Sequence, residues 1–335
     1  MKVAKLVSPR RMEVFECDIP RVRLGKVLVR VEAAGICGSD LHYFIHGGIG
    51  SRTAPLPMSL GHEAAGVVEQ VMYGGRFEVG DRVAIEPGLN CGECAYCRRG
   101  LPNLCPKTEF IGANSPGAFS EYLLADERQL VKIPGTTTME EAAMLEPFGV
   151  ALHAVRMAGV GPSDRVAVFG AGPIGMCIAM AAKISGAWNV AVCDPLEYRS
   201  KFARSMDAGA DEGWVRDGQL WGGFSADVAF DAAGTQESVD DCFQVALPGG
   251  RVALVGIPTY DTLQYNPHIA RTKELTIFNV RRSRHTTATA LDLLYYRNLP
   301  LGEMVTHRWP LESIQEAFET AAEYRDGIVK GVIHG

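Results

Sequence analysis

Four cysteines, Cys91, Cys94, Cys97 and Cys105, follow one another as C-x2-C-x2-C-x7-C in a stretch bounded by Pro87 and Pro106. Zinc prefers four soft ligands at about 2.3 Å, and short C-x-x-C links let one loop supply several of them. The spacing therefore points to a closed tetrahedral site, which has no open position and so serves structure, not catalysis. The competing reading is a disulfide-rich loop, which needs an oxidising compartment. Residues 1–5, MKVAK, begin no apolar signal segment, so a reduced, cytoplasmic chain is the expectation.

A second chemistry is phosphate binding. Gly170-Ala171-Gly172-Pro173-Ile174-Gly175 is a G-x-G-x-x-G run that follows a β-branched segment and opens a helical one. In that context the first glycine permits a tight turn, the second lets backbone approach a pyrophosphate, and the third lets helix pack on strand. The helix N-terminus then faces the phosphates with its positive end. Asp194 ends the next apolar segment, where a carboxylate can bind both ribose hydroxyls and repel the extra phosphate of NADP, so NAD is the expected cofactor. The alternative for Asp194 is a turn residue capping the following helix. Arg199 stands close enough in sequence to soften the preference, or to lie on a solvated helix face.

A third group is weaker in isolation. His62 and Glu63 precede an apolar strand, and Cys37 lies upstream in GICGSD, residues 35–40. Such a His-Glu pair more often makes surface hydrogen bonds, and a lone cysteine more often packs in a core.

The elements that must position these residues differ between the two halves. Short β-branched runs at 26–32, 65–71, 81–85 and 121–124, bounded by Gly, Pro and Asp, predict a β-rich first half. An apolar stripe from 140 to 157 predicts one helix bridging to the second half. Strands at 166–169, 190–193, 228–231 and 252–255 then alternate with helices at 174–185 and 198–207, which predicts a parallel, doubly wound sheet. Helices at 289–296 and 312–323 and a strand at 329–333 close the chain.

With 335 residues, 47% of them hydrophobic, and 37 glycines, the chain has material for two packed domains. A formal charge of −6 without a block of basic residues argues against nucleic-acid and anionic-membrane partners, which need a concentrated positive face. The uncharged run 166–182 is short for a membrane span and is broken by Gly170, Gly172, Pro173 and Gly175. Cys17, Cys177, Cys193 and Cys242 sit in apolar contexts and read as reduced core thiols.

Taken together, CGSDLHY (37–43), GHEAAGVV (61–68), GDRVAIEPG (80–88), the cysteine loop, LEPFGVALHA (145–154) and VFGAGPIGM (168–176) occur in an order that resembles the zinc-dependent medium-chain dehydrogenases, and among them the sorbitol and polyol dehydrogenase branch. The resemblance implies an α/β fold with a GroES-like β-rich catalytic zinc domain, residues 1–149 and 285–335, and a Rossmann NAD-binding domain, residues 150–284. It implies two zinc ions. A catalytic one would be held by Cys37 and His62, with Glu63 as third ligand or close carboxylate and Glu146 reaching it directly or through water. A structural one would be held by the four clustered cysteines. Ser39 would relay the proton, Tyr43 and Arg282 would meet substrate, and His42 and His153 would line or support the pocket. The implied substrate is a polyol, and the implied assembly is a homotetramer or homodimer with 275–280 as a candidate edge strand.

The chain departs from the branch at 281–284. Arg281 and Ser283 stand where polyol dehydrogenases carry aromatics around the arginine matched by Arg282. Arg281, Arg282 and Arg284 offer guanidinium forks suited to a carboxylate or phosphate, which makes an aldonate (idonate-like) or threonine-type dehydrogenase the alternative; the other reading is that Arg281 and Arg284 point to an oligomer interface or the cofactor. A non-catalytic protein that binds zinc and a nucleotide is a third reading.

Overall fold

β-branched runs build the first of two units, Met1–Glu146 with Thr287–Gly335; the second is Pro147–Thr286. The computed structural model describes residues 1–206 and 224–335.

In the first unit the strand Lys26–Gly35 is central. It pairs antiparallel with Glu63–Val71, Tyr122–Asp126 and Lys330–His334, and the sheet continues through Arg82–Ile85 and Leu130–Lys132 on one side and Val305–Pro310 on the other. Alternate residues Val27, Val29 and Val31 face one core, as a period-2 pattern requires. Phe318, on the helix Ile314–Ala322, closes that core with its ring 5.2 Å from Phe44 and 5.6 Å from Phe119. The register sets Gly35 opposite Glu63 on one neighbour and Val332 on the other. A glycine is needed there, because a Cβ on residue 35 would lie 2.3 Å from Glu63 Oε2 and 2.9 Å from Lys330 Cε.

The second unit is a five-stranded parallel sheet in the spatial order Asn189–Cys193, Arg165–Phe169, Ala226–Asp231, Ala246–Leu254, Thr276–Asn279. The strand order reverses beside Arg165–Phe169, so the glycine turn that leaves its carboxyl end opens at the place where such sheets bind ligands. Thr276–Asn279 is an edge strand, at the position expected for 275–280.

Several features differ from the sequence expectations. The stripe from 140 to 157 is two helices, Met139–Ala143 and Leu145–Ala158. Pro147 has no N–H to offer the carbonyl of Ala143, so the first helix stops and a second restarts with the proline in its opening turn. The helix Gly38–His46, which carries Ser39 and Tyr43, and the hairpin of Lys2–Ser8 with Arg11–Glu16 were not foreseen. The helix expected at 198–207 spans Glu197–Ser205; Asp207 lies outside the described residues. Among the described residues no helix is long and apolar enough to cross a membrane.

Candidate active site and metal centres

The four clustered cysteines fold around a common point, their sulfur atoms all within 4.8 Å of one another. Cys91 and Cys105 sulfurs are 3.6 Å apart, far beyond a disulfide bond of about 2.05 Å. That separation is close to the edge of a tetrahedron built on zinc–sulfur bonds of about 2.3 Å. Cys94 caps the short helix Ala95–Arg98 and accepts the Cys97 N–H at 3.5 Å, which holds its thiol below the usual value. Burial and the hydrogen bond shared with Cys94 push Cys97 up to about 12. Four thiols crowded in this way fit a thiophilic dication.

A second group forms where a strand end meets a helix start. Cys37 is the N-cap residue of Gly38–His46, while His62 and Glu63 stand at the beginning of Glu63–Val71. The candidate ligand atoms of Cys37, His62 and Glu63 lie within 4.8 Å of one another. Asp40, 1% exposed, organises them: its carboxylate accepts the Cys37 N–H at 3.0 Å and the Gly61 N–H at 3.2 Å, and lies 3.6 Å from His62 Nδ1. Burial disfavours the His62 cation, yet Asp40 and Cys37 raise its pKa well above the ordinary value.

Glu63 is not a free ligand. Its Oε2 pairs with Lys330 Nζ, which also donates to the Ile36 carbonyl at 2.9 Å, and both side chains are 2% exposed. Glu146, 9% exposed, stands outside the Cys37, His62 and Glu63 group, though close enough to feel it. Burial, with Glu63 and Glu86, pushes its carboxyl up to about 8, against the opposing pull of His62. Glu86 is held by the hydroxyl of Thr287. Three carboxylates beside a thiol and an imidazole suit a cation more than they suit one another.

Ser39 is half-buried in the first turn of Gly38–His46. Tyr43 lies one turn later, 5% exposed and packed in the core cluster of its unit, where it backs the helix that carries Ser39. His42 is half-buried on the same helix.

In the second unit the glycine turn has three different requirements. Gly170 adopts φ 108°, in the left-handed range, and a Cβ on Gly175 would sit 1.7 Å from the Gly170 carbonyl oxygen. Gly172 has φ −73°, and a Cβ there would meet nothing closer than Arg199 Nη1 at 3.6 Å. Nothing among the described residues demands a glycine at 172; a ligand lying against the backbone would. Pro173 starts the helix Pro173–Ile184, with Ile174 in its first turn. Asp194 accepts the Ala171 N–H at 2.8 Å through Oδ2 and the Leu196 N–H at 2.9 Å through Oδ1, so it ties the glycine turn to the next one. Each carboxylate oxygen keeps a second lone pair for a hydroxyl. Arg199 is not on a solvated face: its side chain is 15% exposed, with Nη1 3.8 Å from Asp194 Oδ2. Arg282 follows the edge strand with φ 55°.

Sequence reasoning missed Asp40, Glu86 and Lys330. Asp40 and Glu86 lay inside motifs already singled out, and Lys330 left a signal as a lone charge in the apolar run 328–333.

Two family models match the chain: Alcohol dehydrogenase GroES-like domain over residues 23–135 and Zinc-binding dehydrogenase over residues 173–295. Sorbitol dehydrogenase of Bacillus subtilis is 32% identical, covering 100% of this chain and 97% of the relative. L-idonate 5-dehydrogenase of Vitis vinifera is also 32% identical, covering 95% and 91%. A solved Escherichia coli oxidoreductase/dehydrogenase of unknown specificity superposes with a TM-score of 0.92 at 33% identity, covering 99% of this chain and 98% of that one.

Proposed function

The chain belongs to the zinc-dependent medium-chain dehydrogenases, in their sorbitol dehydrogenase branch, and from that premise we propose that it oxidises a secondary alcohol of a sugar alcohol reversibly to the ketose. NAD is the cofactor in this reading, with two zinc ions per chain. Membership of a family of enzymes removes the non-catalytic alternative.

The observation that carries the proposal is the group of half-buried Cys37 with buried His62 and Glu63, and Glu146 beside it. One thiolate, one imidazole and carboxylates make a harder donor set than two thiolates, and a harder site suits a vicinal diol, which offers two oxygens. When bound, zinc supplies Lewis acidity toward a substrate hydroxyl and the dinucleotide supplies a hydride acceptor. The chain's own residues do the rest. Cys37 and His62 would hold the metal, and Asp40 fixes the Cys37 and Gly61 amides and faces the imidazole. Glu63, paired with Lys330, and Glu146 would supply carboxylate to the metal, Glu146 directly or through a water. Ser39 Oγ takes the proton that leaves the substrate hydroxyl. The backbone of Gly170 to Gly175 cradles the pyrophosphate, and the remaining lone pairs of Asp194 take the ribose hydroxyls.

A panel of xylitol, sorbitol and galactitol with NAD tests the reading, and turnover of at least one is the expected result. Turnover of sugar acids alone would replace it with the second reading, an aldonate dehydrogenase. That reading is favoured by Arg281, Arg282 and Arg284 and by the likeness to an idonate dehydrogenase. Arg282→Ala is expected to raise substrate KM in either case, leaving KM for NAD unchanged.

A further inference from the structure

We propose that His153 and Thr286 share one internal water above Gly149, and that this bridge positions Arg282. The positioning half rests on Arg282 being the substrate-contacting residue; the bridge itself does not.

Among the described residues, His153 Nε2 and Thr286 Oγ1 are buried polar atoms without a hydrogen-bond partner, in side chains belonging to residues 2% and 1% exposed. They meet the same helix face. A Cβ on Gly149 would lie 2.9 Å from Thr286 Oγ1 and 3.8 Å from Ser283 Cβ, so the segment 283–286 rests directly on the helix Leu145–Ala158 at that glycine. His153 is one turn further along, and helical side chains lean toward the N-terminus, which carries its imidazole back over the patch the glycine leaves open.

The electrostatics place the same segment beside His153. Burial, with Arg284 and then Arg156, holds the imidazole down at about 4. A neutral ring at working pH has one N–H and one lone pair, and a hydroxyl has both, so one water can satisfy each. Internal waters are found where buried polar atoms would otherwise lack partners.

Thr286 also stands immediately before the helix Thr287–Arg297, where a threonine hydroxyl ordinarily takes a first-turn amide. Here that hydroxyl is not used for capping. Arg282 at φ 55° and His285 at φ 52° both hold left-handed backbone that side-chain-bearing residues adopt only when their surroundings fix it. A bridge at Thr286 is such a fixing point, one residue beyond His285 and four beyond Arg282.

Thr286→Val keeps the shape and removes the hydroxyl; His153→Phe keeps a ring and removes the nitrogens. In the zinc-loaded enzyme each is expected to raise KM for the polyol about tenfold, with KM for NAD within about twofold of the wild type. Thr286→Ser should restore the wild-type value. The double variant should match the single ones, because the bridge is lost only once. Additive effects, or an unchanged KM with only a lower melting temperature, would overturn the positioning role. A high-resolution crystal structure of the wild type should show a water within hydrogen-bond distance of both atoms; a dry gap refutes the bridge. If the wild type turns over only sugar acids, the same KM comparison is made on the sugar acid, and the crystallographic result stands unchanged.

Discussion

Lys330 is the side chain on which the character of the metal site turns. A lysine buried in a sheet must be paired, and its partner here is Glu63, a residue that would otherwise be a strong zinc ligand. Burial opposes the Lys330 charge, but Glu63 and Cys37 keep its pKa above the ordinary value. The lysine therefore stays protonated and would compete with a metal for one carboxylate. Lys330→Met removes the cation and strands the carboxylate. Denaturant unfolding of the zinc-loaded protein is expected to show a loss of about 3–5 kcal/mol. A loss below about 1 kcal/mol would mean that the metal alone neutralises Glu63 and that the lysine is dispensable.

The glycine turn and a strand end each yield a prediction on the scale of single elements. Gly175→Ala drives a Cβ into the Gly170 carbonyl, so the variant should fold poorly. Gly172→Ala meets no such obstacle. It is expected to keep the wild-type melting temperature while weakening NAD binding at least tenfold by calorimetry, and unchanged binding would place the pyrophosphate elsewhere. At the end of Tyr122–Asp126, the Asp126 carboxylate accepts the Arg128 N–H at 3.1 Å and Nε at 2.8 Å, and Arg128 chiefly, with Lys26 helping, lowers it from 3.8 to about 2. A depressed acid stabilises the fold above its unfolded pKa, and that contribution disappears as pH falls through the folded one. Allowing for solvent screening, Asp126→Asn should cost about 1 kcal/mol at neutral pH. The gap between variant and wild type should close between about pH 4 and pH 2 in an unfolding series.

On the scale of the molecule, metal content and assembly are the readouts. Elemental analysis is expected to find two zinc ions per chain, falling to one in Cys97→Ser and to one in Cys37→Ala, since the two groups of candidate ligands share no residue. Loss of both ions in either variant would show that the two sites fold as one. Among the described residues Thr276–Asn279 has no strand on its outer side at the edge of the five-stranded sheet, and sedimentation should find a dimer or tetramer. A monomer at micromolar concentration would remove the oligomer from the proposal.

The residues alone determined whatever is local in the chain. The cysteine loop and the glycine turn are readable because all their functional atoms come from one short segment, where spacing is geometry. The β-rich half and the alternating half are readable because burial on one face imposes a period. Pro147 was overlooked, and its missing N–H is why a single expected helix is two. Only the tertiary structure decided the rest. Lys330 meets Glu63 because the last strand pairs beside Gly35, and Asp40 joins Cys37 to Gly61 across a helix start and a strand end. Thr286 reaches Gly149 by way of a sheet edge. Contacts between residues from different elements, as far as 267 positions apart for Lys330 and Glu63, are set by strand order and register, and those emerge only when the whole core packs.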